Sequence, residues 1–150
     1  MRTAEITVST PVQASPEVVW ELATDWERQQ DWMLGTEVRL VAGDGGAGSR
    51  LVAVTGLRGV GVVDHMEIVE FEPAHSCRVR HDGELVCGEG GFNVIRAGNS
   101  ASTFVWWERL ELPTGGGVLW PVVRPAFTWG LRRSLNEFAR LCAVERRNRG

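Results

Sequence analysis

The sequence predicts an α+β domain in which a curved, seven-stranded antiparallel sheet wraps around a long C-terminal helix, with two short helices after the first strand. Three observations carry this prediction. Apolar and polar residues alternate through seven stretches, the mark of strands with one buried face. Six of those stretches follow one another across short turns, so neighbours run antiparallel. Towards the C-terminus, large apolar residues recur instead at helical spacing.

Each element has its own local reason. From Glu5 to Val12, Ile6 and Val8 alternate with Thr7 and Ser9, giving the first strand. ASPEVVWELATDW then starts a helix. Ser15 is a good N-cap, Pro16 suits the first turn, and Glu17 favours the positive end of the dipole. Val18, Val19, Leu22 and Ala23 form its apolar stripe. A second short helix is expected from Glu27 to Trp32, ending at Gly35. Strands follow at 36–42, 50–57 and 60–72, separated by GDGGAG and by Arg58-Gly59, and Pro73 stops the last of them. Asp82-Gly83 predicts a two-residue hairpin between Cys77–His81 and Glu84–Ile95. Gly98-Asn99-Ser100 turns the chain into the seventh strand, Ser102–Leu112. Pro121 and Pro125 punctuate the approach to a helix from about Pro125 to Arg147, where Phe127, Leu131, Leu135 (or Ser134), Phe138 and Cys142 line one side. A sheet of this width curls through its own twist. Wrapped around a helix, such a sheet seldom closes tightly, so a cavity between them is expected.

Composition narrows the function. The chain has 150 residues, enough for one domain with its own core. Its formal net charge of -3 argues against a nucleic-acid surface. All 16 basic residues are Arg, so lysine Schiff-base chemistry is excluded, and the absence of Tyr excludes a phenolic acid. Three cysteines, Cys77, Cys87 and Cys142, show no CxxC spacing, so neither a zinc site nor a disulfide framework is expected. No apolar signal core opens the sequence, and the apolar run 117–130 is too short and too interrupted for a bilayer. The expectation is a cytoplasmic monomer or homodimer without metal or cofactor. Neither nucleic-acid binding nor stable membrane insertion is expected.

Strand alternation assigns the inner wall. In GVVDHMEIVEFEP, Val62, Met66 and Ile68 share a face with Asp64. Pairing across Asp82-Gly83 sets His81 opposite Glu84, Val79 opposite Val86 and Cys77 opposite Gly88, with Cys77 inward and Cys87 outward. A three-residue turn at Gly98 sets Val94 against Phe104, Phe92 against Trp106 and Gly90 against Glu108. Three ionisable groups, Asp64, His81 and Glu108, therefore point at an oily interior, where each must be paired, hydrated or shifted in pKa. Two readings stay open: polar anchors for a ligand, or ties to an Arg such as Arg50 or Arg124. Asp64 and Glu108 lie on strands separated by two others, roughly 14 Å apart along the sheet. They are read as separate polar points, with His81 between them as the one candidate general base near neutral pH. Gly88 and Gly90 leave bare wall where a ligand could approach. Trp20, Phe104 and Phe138 are read as plain core. The candidate ligand-binding residues are Trp32, Met33, Asp64, Met66, His81, Phe92, Trp106, Glu108, Phe127 and Leu131.

The segments STPVQASPEVVWELATDWERQQDW, AGSRLVAV, VVDHMEIVEFEP, GFNVI, STFVWWERLELP and the Arg-rich terminal helix together resemble the START-like or SRPBCC superfamily of helix-grip domains. Within it, the chain looks closest to the polyketide cyclase/dehydrase and lipid transport group, over nearly its whole length. These motifs are diffuse and specify fold better than activity. The resemblance implies a deep hydrophobic cavity under the C-terminal helix. Some relatives are aromatase/cyclases, and some carry lipids or hormones. Aromatase pockets tend to use Arg and Tyr. This chain has no Tyr, and none of its Arg residues matches a catalytic one. The expected function is binding of a small hydrophobic or aromatic ligand, lipid-like or polyketide-like. The alternative is a polyketide aromatase/cyclase or dehydratase using the same cavity. A regulatory domain with a filled core is a third reading.

Overall fold

A computed structural model of the protein describes residues 2–57, 60–113 and 115–150. In chain order the elements are β1 (Thr3–Val12), α1 (Pro16–Ala23), a short 3₁₀ helix (Trp26–Asp31), β2 (Thr36–Ala42), β3 (Arg50–Leu57), β4 (Val60–Glu72), β5 (Ser76–Asp82), β6 (Cys87–Gly98), β7 (Ala101–Glu111) and α2 (Gly116–Arg149). The expected turn at Arg58-Gly59 lies outside the described residues.

All seven strands form one antiparallel sheet in the order β1-β7-β6-β5-β4-β3-β2. The predicted α+β helix-grip architecture is present: a curved sheet, short helices after β1 and a long helix at the C-terminus. Alternation in β1 works as read, since Ala4, Ile6, Val8, Thr10 and Val12 are buried and their neighbours are not. The α1 start is also as read. Ser15 Oγ accepts from the Val18 N–H at 3.4 Å, and Pro16 occupies the first turn.

The inner face of the sheet carries an aromatic core. Phe104 and Phe138 pack with centroids 4.5 Å apart, Trp32 lies 4.6 Å from Phe138, and Trp20 lies 5.6 Å from Phe92. From α2, Leu131, Ser134, Leu135, Phe138 and Cys142 are buried. Ser134 ties the helix down. Its Oγ accepts from the Leu34 N–H at 2.9 Å and donates to the Gly130 carbonyl at 2.9 Å.

Two expectations change. The β5–β6 connection is not a two-residue turn. Asp82 pairs with Cys87, so Gly83 to Val86 form the loop, and His81 faces Gly88, Val79 faces Gly90 and Cys77 faces Phe92. A type I′ turn needs positive φ at both central residues, and neither Asp82 nor Gly83 adopts it. Asp82 instead extends the strand and binds the Arg50 guanidinium at 2.8 Å, while Cys87 donates its S–H to the Gly83 carbonyl at 2.9 Å. The register moves by an even number of residues, so every face assignment survives. The β6–β7 register is as read, with Gly90 opposite Glu108 and Phe92 opposite Trp106.

The second change concerns α2, which starts at Gly116 and runs through Pro121 and Pro125 instead of beginning at Pro125. Proline removes the bonds that Gly117 and Pro121 carbonyls would otherwise accept. Val118, Leu119, Val122 and Val123 show that this half of the helix is exposed, so water can serve those carbonyls.

Candidate functional site

The cavity arises where short side chains face short side chains. On α2, Ala126, Gly130 and Ser134 recur every four residues and so share one face. Thr36 of β2 and Ala53 and Thr55 of β3 stand across from them. None of these is large enough to fill the gap, and a cavity of about 470 Å³ remains. That volume lies in the range of small-molecule sites. Its walls also include Val38, Leu51, Met66, Val79, Phe92 and Leu131. Leu34, Val62 and Phe127 line it too while remaining exposed, which places the mouth between α2 and the β3–β4 hairpin.

One polar cluster faces this cavity. The His81 imidazole spans from Asp64 to Glu108: Nδ1 lies 2.9 Å from Asp64 Oδ1, and Nε2 lies 2.9 Å from Glu108 Oε2. Glu108 Oε1 accepts from the Trp106 indole N–H at 3.2 Å. The strand geometry that keeps the carboxylates apart is therefore bridged by the ring between them. Gly90, on the strand between His81 and Glu108, makes this possible. A Cβ there would overlap Glu108 Oε2 and sit 2.9 Å from His81 Nε2. The bare wall at Gly90 thus accommodates the ion pair. Gly88 answers a different need: it has φ +126°, and a Cβ there would strike the Arg109 carbonyl.

Side-chain exposure is 4% for His81, 11% for Glu108 and 20% for Asp64, so Asp64 is the member a ligand reaches best. Burial by itself pulls the His81 pKa down, but hydrogen bonds and charge from Asp64 and Glu108 outweigh it and raise the pKa to about 10. At neutral pH the ring is an imidazolium that donates from both nitrogens. It has no free lone pair, so the general-base role considered for it does not fit this geometry. Neither Arg50 nor Arg124 reaches Asp64 or Glu108; Arg50 pairs with Asp82. Cys77 also lines the cavity, and burial pushes its thiol up to about 12, so it stays protonated. All three cysteines are free.

Of the sequence-derived candidates, Met33, Asp64, Met66, His81, Phe92, Trp106, Glu108, Phe127 and Leu131 line the cavity. Trp32 does not. It is buried in the aromatic core against Phe104, Trp106 and Phe138, and its indole N–H has no partner among the described residues. Sequence reasoning missed the small-residue face of α2 and the contributions of β2 and β3. The signal was present as Ala126, Gly130 and Ser134 at four-residue spacing, but a search for large apolar residues passes over it. Among the described residues, no group of three or more acidic, His or Cys side chains is arranged to hold a metal ion. Nor is any helix among them long and apolar enough to cross a membrane.

A curved sheet gripping one long helix over a ligand-sized hollow defines a START-like, SRPBCC helix-grip domain. The chain belongs to the family "Polyketide cyclase / dehydrase and lipid transport", whose profile matches residues 3–143. Solved structures share the fold at low sequence identity. The protein TTHA0849 from Thermus thermophilus is 21% identical with a TM-score of 0.75, over 95% of this chain and 99% of that one. The Zhui aromatase/cyclase from Streptomyces sp. R1128 is 15% identical with a TM-score of 0.72, over 94% of each chain. Norcoclaurine synthase from Thalictrum flavum, in complex with dopamine and hydroxybenzaldehyde, is 16% identical with a TM-score of 0.69, over 93% of this chain and 86% of that one. None of the curated proteins matches the chain in sequence.

Proposed function

We propose that this protein binds a small hydrophobic or aromatic molecule between the sheet and α2, its polar end meeting the Asp64–His81–Glu108 cluster. The observation that carries this reading is the cavity of about 470 Å³, walled by apolar groups and open between Phe127 and Val62. Mostly apolar walls with a few convergent polar groups are what small-molecule sites share. Membership of a family named for both polyketide cyclisation and lipid transport supports the same class of ligand. The aromatase/cyclase and norcoclaurine synthase structures, with the same fold, are named for work on aromatic molecules.

Native mass spectrometry of the protein purified without detergent tests this directly, alongside a Nile red titration. A retained ligand mass, or saturable dye fluorescence displaced by a lipid or polyketide-like compound, is the expected outcome. Absence of both would leave the cavity without a function. The cyclase or dehydratase reading draws on the family name, and on Asp64 as an acceptor open to the cavity. It requires turnover of a polyketide-like chain that Asp64→Asn abolishes.

A further inference from the structure

We propose that the cavity is built for an apolar molecule ending in a hydrogen-bond donor, a protonated amine above all, and against one ending in a carboxylate. This rests on the reading of the cavity as a ligand site. The polar cluster pairs two carboxylates with one imidazolium, which leaves one negative charge unmatched beside the cavity. Among the described residues no Arg lines the cavity, and the chain has no Lys, so no other cation of those residues compensates that charge.

The acceptors are unequally used. Glu108 spends one oxygen on His81 and the other on the Trp106 indole. Asp64 gives Oδ1 to His81, and no donor among the described residues reaches its Oδ2. Asp64 is also the most accessible of the three. A ligand therefore meets an acceptor carrying negative charge, on the edge of an apolar space. An ammonium group supplies both the missing donor and the missing charge, and charge-assisted hydrogen bonds are the stronger kind. A hydroxyl supplies the donor alone. A carboxylate offers neither and adds a like charge in a poorly solvated place, where repulsion is costly. Both donors of His81 are already taken, so the imidazolium cannot receive the carboxylate unless the cluster opens.

Three probes with one apolar body separate these cases: 4-phenylbutylamine, 4-phenylbutanol and 4-phenylbutyrate, each titrated against Nile red-loaded protein at neutral pH. The amine should bind at least about tenfold more tightly than the acid, with the alcohol between them, as one charge-assisted bond implies. Asp64→Asn retains a carbonyl to accept from His81 and removes the unmatched charge. In that variant the amine and acid, each referred to the variant's own Nile red affinity, should converge to within about threefold, since the remaining imidazolium and carboxylate balance. An acid that binds as well as the amine in the native protein, or an amine preference that survives Asp64→Asn, overturns the assignment while the dye still reports a cavity. If neither the dye nor any probe binds, the ligand-site reading itself falls and this inference falls with it.

Discussion

His81 is held by two carboxylates in a place with little water, and that makes its proton part of the fold. Its pKa is raised to about 10 in the folded protein from an ordinary value of 6.5, so the folded state binds the proton more tightly than the unfolded chain does. The stabilisation is fully present below pH 6.5 and is lost as pH rises from there to about 10. Urea unfolding across that window should show stability falling by up to about 1.4 kcal/mol per pH unit for this one proton. His81→Gln should remove that component of the slope and cost about 3–5 kcal/mol near neutral pH, because Gln cannot serve both acids. Identical pH slopes in native protein and variant would show that the ring does not carry the proton assigned to it. The three ionisable positions were legible from strand alternation, since Asp64, His81 and Glu108 fall on one face whatever the even-numbered register. Their contact was not. It depends on Gly90 having no side chain, and a glycine in a strand pattern indicates that something approaches without saying what.

At the scale of elements, α2 does two jobs with two kinds of residue on neighbouring faces. Leu135, Phe138 and Cys142 anchor its C-terminal half by burial, and Ala126, Gly130 and Ser134 leave room under the half before them. Gly130 is the informative member. A Cβ built there meets nothing within 4 Å, so the position faces open space and tolerates a side chain. Gly130→Ala should therefore stabilise the helix, by about 1 kcal/mol from helix propensity. Gly130→Phe should keep the fold but place a ring in the cavity, weakening Nile red binding by at least about tenfold, or 1.4 kcal/mol. Unchanged dye affinity with Phe at this position would put the dye somewhere other than the cavity. The helix was readable over its large apolar residues, and its first turns were not. Two prolines argue for a boundary in any local reading, and only the exposed setting of this segment makes them tolerable inside a helix. The β5–β6 loop shows the same limit. Asp82-Gly83 carries a strong turn signal, but the ion pair to Arg50 and the Cys87 thiol bond act over distances that local reading does not reach.

The whole molecule is filled at one end and hollow at the other. Aromatic rings from α1, the 3₁₀ helix, Trp32, β6, β7 and α2 interlock around Phe92 and Phe104, and Phe92 also walls the cavity, so core and cavity share a boundary. An apolar ligand that enters the hollow gains close dispersion contacts with the surrounding wall. A ligand that binds the folded state and not the unfolded chain stabilises it by about 2.7 kcal/mol at a free concentration one hundred times its Kd. For a domain of this size that corresponds to a rise in Tm of about 5–10 °C. Thermal unfolding monitored by near-ultraviolet circular dichroism, with and without a compound shown to displace Nile red, should display that rise. The gain should grow with the logarithm of ligand concentration and be strongly reduced in Gly130→Phe, whose cavity is already occupied. Equal shifts in the native protein and in that variant would locate the binding outside the gap between sheet and helix. The curled sheet would then be an ordinary scaffold with a packing defect.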